Sequence, residues 1–227
     1  MALFGVVLLL ILLVVVDRVA LAVTENDMAS QFKTQGFPVK PSVTIKGFPF
    51  LTQLIGKDFQ EVDISASNIP AGPVTITSVH ATATGMHLSS LSSSATATID
   101  KLTATAFISN QSLEGAGGLT DFTNVTATQV GNNILKVSAS LGGVVSDTEE
   151  LQITQTGAQT ISVSVVPNSG GIVGDIGGAL GGALSGLTSF SFNLPKGVPA
   201  SLRITSLQLN STGLTVSAEA TNATFSQ

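Results

Sequence analysis

The sequence contains no cysteine, no tryptophan and no tyrosine, and only two histidines among its 227 residues. Without Cys there is no disulfide, no thiolate zinc site, no iron–sulfur cluster and no cysteine nucleophile. Two His are too few for most imidazole-based metal sites, so neither a metal nor another cofactor is expected. Charge is scarce as well. Nine Lys and Arg stand against fourteen Asp and Glu, giving a net charge of −5. That sign opposes bulk attraction to nucleic acid, and any anionic partner must be met by a local basic cluster. What remains is 43% hydrophobic, too apolar for a disordered tail, and long enough for one domain with its own core.

Residues Leu3 to Val16 (LFGVVLLLILLVVV) form an unbroken apolar run, followed at once by Asp17 and Arg18. A run of this length suits the apolar region of a signal peptide better than a bilayer span, which takes about 20 residues. Ala20 and Ala22 supply an A-x-A-like cleavage site after Ala22, whereas no Lys or Arg precedes the run. Residues 1–22 therefore read as a signal peptide or an N-terminal membrane anchor. Either implies export, and residues 23–227 are left as a single domain.

From Asp17 to Gln35 the pattern is helical, with Leu21, Met28 and Phe32 on one stripe and Gly36 at the position of a C-terminal cap. Beyond it Val, Ile, Thr, Ser and Ala alternate with a period of two, as in Val62/Ile64/Ala66, Leu102/Ala104/Ala106/Ile108 and Leu214/Val216/Ala218. Such alternation predicts half-buried antiparallel strands. Hairpin turns are expected at Gly131-Asn132-Asn133 and at Asn210 to Gly213. The apolar parity slips between Ile76 and Val79, which suggests a bulge. Because the strand faces carry many Ala and Thr, the sheet fills little volume, and it is expected to curve around a helix or an occluded apolar space. Residues 170–187 place Ile172, Ile176, Leu180 and Leu184 opposite a row of glycines, and read as a Gly-rich loop or a helix packed closely on the sheet, a membrane-touching or tunnel-gating element, or a transmembrane glycine zipper.

Groupings that might carry catalysis are weak. His80 and His87 are seven residues apart, on opposite faces if both lie on one strand, with no Ser and Asp arranged beside them. Glu61 and Asp63 share one strand face, and Glu149-Glu150 fall in an expected turn; each reads as surface acid or as half of a carboxylate pair. The Gly-dense segment lacks the G-K-[ST] ending of a phosphate loop.

The informative stretch is Pro41 to Gly56 (PSVTIKGFPFLTQLIG). Val43 and Ile45 form a short strand, and Gly47 with Pro49 makes a turn. Phe48, Phe50, Leu51, Leu54 and Ile55 then build a dense apolar cluster whose last three members fit a helical turn. Lys33, Lys40, Lys46 and Lys57 surround it in a window free of Asp and Glu from residue 28 to residue 57. One reading is a core plug with solubilising lysines. The other is an apolar lipid-binding mouth formed by those five residues, with Lys40, Lys46 and Lys57 facing an anionic headgroup at a membrane surface.

This stretch resembles the actinobacterial LmeA-like phospholipid-binding family of cell-envelope proteins, whose pattern is an exported N-terminal helix ending in a D-R-like pair and then P-x-V-x-I-x-G-F-P-F-L-x-Q-x-x-G. Asp17, Arg18 and all of Pro41 to Gly56 match it, and Leu194-Pro195-Lys196-Gly197-Val198 with the hairpin that follows is a second match. The resemblance implies an α+β fold like the tubular lipid-binding (TULIP) proteins, a long N-terminal helix wrapped by a strongly curved antiparallel sheet around an apolar tunnel. It implies non-catalytic binding of phospholipids such as phosphatidylinositol, and, as in mycobacterial members, support of lipomannan-type glycolipid elongation. The competing class is an exported structural or adhesive Ser/Thr-rich β-protein without a lipid ligand.

Overall fold

The computed structural model describes residues 2–91, 95–116, 123–131, 133–141, 145–166 and 189–225. The Gly-rich stretch 170–187 lies outside the described residues. A single unbroken helix α1 (Ala2–Thr34) leads into β1 (Ser42–Lys46), the short helix α2 (Phe50–Gly56), and the long strands β2 (Asp58–Ala71), β3 (Val74–Leu88) and β4 (Ala97–Ser109). After α3 (Asn110–Ala116) come β5 (Thr123–Gly131), β6 (Ile134–Leu141), β7 (Val145–Gln155), β8 (Thr160–Val165) and β9 (Phe190–Asn193). The chain returns through β10 (Arg203–Asn210) and β11 (Gly213–Phe225). These strands make two antiparallel sheets, β1-β2-β3-β4-β11-β10 and β5-β6-β7-β8-β9. Neither sheet is closed.

The predicted helix and the apolar run before it are one element. α1 ends where expected, because Gly36 adopts φ +93° and the Phe37 N–H closes onto Phe32 O at 3.0 Å. Both predicted hairpins form, the second with Asn210 Oδ1 accepting from the N–H of Thr212 and of Gly213. Glu149 and Glu150 lie within β7 rather than in a turn.

The larger sheet serves two cores. Its half toward Ile69, Ile76, Ile108 and Leu214 packs on Leu135, Val137, Leu151, Ile153 and Phe192 of the smaller sheet. Its other half, with Phe59, Val62, Met86, Ile99 and Leu102, packs under α1 through Ala20, Leu21, Met28, Ala29 and Phe32. The exposed edge of β1 is tied to the helix, since the Ile45 N–H donates to Glu25 Oε1 at 2.8 Å.

A crease crosses the half beneath α1. The strand pairing leaves out Gln60, Gly85, Asp100 and Asn222 at one level of four neighbouring strands. Gly85 (φ +63°) and Asn222 (φ +50°) take left-handed backbone there. A Cβ on Gly85 would collide with the Asp100 carboxyl, so only glycine fits. Alternation resets across this line, and residues on both sides of it point inward: Phe59 and Val62, Ala83 and Met86, Ile99 and Leu102, Ala220 and Ala223. The bulge expected between Ile76 and Val79 is a related feature. Asn68 (φ +52°) and Thr77 are skipped opposite one another, so both strands reset and the register is preserved.

Candidate functional site

The two halves of the sequence motif meet in space. The Asp17 carboxylate, buried at the point where α1 reaches the domain, accepts the N–H of Leu51 at 2.8 Å and so caps α2 from another element. Arg18 donates to the same carboxylate at 2.6 Å, and its guanidinium lies 5.1 Å from the centroid of the Phe48 ring. Gly47 (φ +105°) turns the chain, and a Cβ there would stand 2.5 Å from Gln53 Nε2. That amide is fixed: Nε2 donates to Lys46 O, and Oε1 accepts the Gln60 N–H that the crease leaves unpaired, both at 3.0 Å.

The five apolar residues of the turn divide into three roles. Phe50 is fully buried against Phe59, with ring centroids 6.2 Å apart. Leu54 faces the interior, and Leu51 is half-buried. Phe48 and Ile55 are 66% and 78% exposed.

Behind Leu54 lies an apolar cavity of about 490 Å³ between α1 and the face of the larger sheet that packs under it. One helical stripe of α1 forms its roof: Thr24, Asp27, Met28, Gln31, Phe32 and Gln35. The floor includes Ala81, Ala83, Ala97 and Ala104, whose small side chains leave the space that larger residues would fill. One end is bounded by Leu88, Ser90 and Leu91 beside α2, the other by Phe37, by Gly197 and Val198 of the second motif, and by Pro199. Gly197 (φ +86°) approaches closely there, because a Cβ would lie 3.3 Å from Phe37 N. None of the roof and floor residues was named as a lipid-site candidate in the sequence, although Met28, Phe32 and Ala104 appeared in its apolar patterns. The signal available was the excess of Ala on strand faces and the Met28/Phe32 stripe.

A second depression, of about 620 Å³ and more open to solvent, is lined by Val39, Val79 and Phe107 together with Lys40, Ser65 and His80. It exposes far less apolar surface than the cavity under α1, which is therefore the better lipid site.

Lys46 ends β1 just before the turn and Lys57 closes α2 just after it, whereas Lys40 precedes β1 by two residues, up to roughly 20 Å from Lys46 along extended chain. Lys46 Nζ contacts Glu61 Oε1 and Asp63 Oδ2, each at 2.6 Å. These carboxylates hold the Lys46 ammonium well above its ordinary 10.5. The same hydrogen bond, and then one from the Thr82 hydroxyl, hold Asp63 below its ordinary 3.8. Glu61 and Asp63 are thus partners of a lysine, on the shared face expected. Lys40 Nζ donates to Asn26 Oδ1 at 2.7 Å, and Lys57 Nζ to Ser89 O at 3.3 Å, beside the cavity end.

His80 and His87 were expected on opposite faces of β3. Both are exposed on its outer face, because the crease at Gly85 resets the alternation between them. His87 pairs with Asp58. Among the described residues no cluster of His, Asp and Glu is arranged to hold a metal ion.

A family model described as LmeA-like phospholipid-binding matches residues 15–219. No match was found among the curated proteins or the solved structures.

Proposed function

The chain belongs to the LmeA-like phospholipid-binding family, and from that premise we propose that it is a non-enzymatic phospholipid carrier, exported and held on the outer side of the cytoplasmic membrane by α1. The observation that carries the reading is the apolar cavity under α1. With about 30 Å³ per carbon-sized group, 490 Å³ houses roughly sixteen chain carbons, or one acyl chain. In this reading the architecture is of the tubular lipid-binding kind, with residues 23–227 as the binding domain. Leu54 lines the chain site, Phe50 and Leu51 hold α2 in place beside it, and Phe48 and Ile55 meet membrane lipid.

For an anionic headgroup of the phosphatidylinositol type, Lys57 is the best-placed cation. It closes α2 in a left-handed conformation (φ 60°), and its ammonium bonds a backbone carbonyl next to the cavity end rather than a carboxylate. Lys40 contributes at longer range, whereas Lys46 is already matched by two carboxylates. Assistance to lipomannan-type glycolipid assembly in the cell envelope would follow from handing such a lipid to an enzyme.

Native mass spectrometry of the full chain, released from membranes in mild detergent, tests the proposal. A phospholipid adduct near one per chain is expected. A bare mass from membranes rich in phosphatidylinositol and phosphatidylglycerol returns the protein to the structural or adhesive class.

A further inference from the structure

We infer that the α2 end of the domain is a seat on the bilayer, with Phe48 and Ile55 entering the lipid interface and the leader retained to hold them there. The inference rests on the proposed membrane anchoring by α1. Val6 to Val16 are all exposed, between 46% and 59%, and apolar throughout. The helix from residue 6 onward is apolar enough to enter a membrane. Lipid that covers Val16 ends within one helical step of Asp17, a rise of about 1.5 Å. Asp17 is the residue whose carboxylate grips the Leu51 N–H, so α2 is fixed at the level where the apolar run stops.

The exposed apolar residues concentrate at the same end. Outside α1, the large exposed hydrophobics among the described residues are Phe48, Ile55, Leu91 and Val130. The first three lie on the turn, on α2 and on the loop beside the cavity end, while Val130 lies on the far sheet. Arg18 over the Phe48 ring places a cation with an apolar stem at the height of lipid headgroups, as interfacial residues do. Lys57 stands at the other end of α2, a helix roughly 10 Å long, so both cations can meet the same surface. The occupant is therefore a phospholipid bilayer.

The seat also decides the fate of residues 1–22. Cleavage after Ala22 would remove Asp17 and Arg18, the cap of α2 and the partner of Phe48.

The absence of Trp and Tyr makes the test clean. Full-length Phe48→Trp, Ile55→Trp and Val130→Trp variants are reconstituted through α1 into phosphatidylcholine–phosphatidylglycerol vesicles, with and without brominated acyl chains. The inference expects blue-shifted emission and several-fold stronger quenching at positions 48 and 55 than at 130. Ile55 makes little contact in the fold, so its variant keeps the test valid if Phe48→Trp disturbs Arg18. Emission and quenching at 55 equal to those at 130 overturn the seat. The intact mass of membrane-extracted protein gives a second reading: retention of Asp17 and Arg18 is expected, and a chain starting at Val23 overturns the inference. Neither result bears on whether lipid fills the cavity, which the adduct mass reports separately.

Discussion

Filling the floor of the cavity should remove the lipid and leave the protein folded. Ala81 and Ala104 face each other across β3 and β4, are half-buried, and line the space under α1. Replacing both by Leu adds three carbons each, about 180 Å³ at roughly 30 Å³ per group, and leaves room for about ten chain carbons. Replacing both by Phe adds six carbons each and leaves room for about four. The added groups enter existing space, so the apo protein gains burial at about 0.8 kcal/mol per CH₂ equivalent, offset where packing is imperfect. The double Leu variant should carry shorter chains, read as a shift in adduct mass, and the double Phe variant should carry none. Thermal unfolding of delipidated protein should show midpoints at or above wild type. A folded double Phe variant that loads full-length lipid at the wild-type level would place the acyl chain elsewhere and refute the reasoning.

Phe50→Ala empties a fully buried site against Phe59 and should cost about 3 to 5 kcal/mol in denaturant unfolding, whereas Phe48→Ala should cost less than about 1 kcal/mol while weakening membrane association. Asp17→Ala should lower the thermal midpoint more than Asp17→Asn, because the Asn side-chain oxygen can still accept the Leu51 N–H. Asp63 titrates below its ordinary 3.8 in the fold, so its contribution to stability is present above that value and is lost as pH falls through the folded value. Unfolding midpoints measured on the acid side of about pH 4 should therefore fall more steeply for wild type than for Asp63→Asn, and parallel curves would show that the Lys46 pair contributes nothing.

Local signals carried well from sequence to structure. Gly36, the hairpin at Asn210 to Gly213 and the Phe48–Phe50 turn depend on neighbours in the chain, and each lies where its residues require. The excess of Ala on β3 and β4 foretold empty volume, although not which helix residues would roof it. The pairing of Lys46 was hidden for a geometric reason: β1 runs beside β2, and the register sets Lys46 against Glu61 and Asp63, residues that a window of local sequence does not bring next to it. The bond between Asp17 and Leu51 joins residues 34 apart and depends on how α1 crosses the turn, which periodicity alone does not set. The crease was equally hidden, because Gln60 and Asp100 are unremarkable strand residues and only Gly85 and Asn222 hint at left-handed backbone.

That crease ties four distant positions into one unit of inheritance. A strand that lost its reset alone would turn the residues beyond it outward while its neighbours kept theirs inward, opening the ladder at Phe59, Met86, Ile99 and Ala223 together. Gln60, Gly85, Asp100 and Asn222 should therefore be kept or exchanged as a set among related chains. An insertion tolerated within a single strand at that level would be correspondingly rare. Gln53 enlarges the set, since its side chain takes the N–H that the crease frees on Gln60. Descendants that lose the crease should lose that glutamine as well, so the turn and the crease should drift through evolution in step.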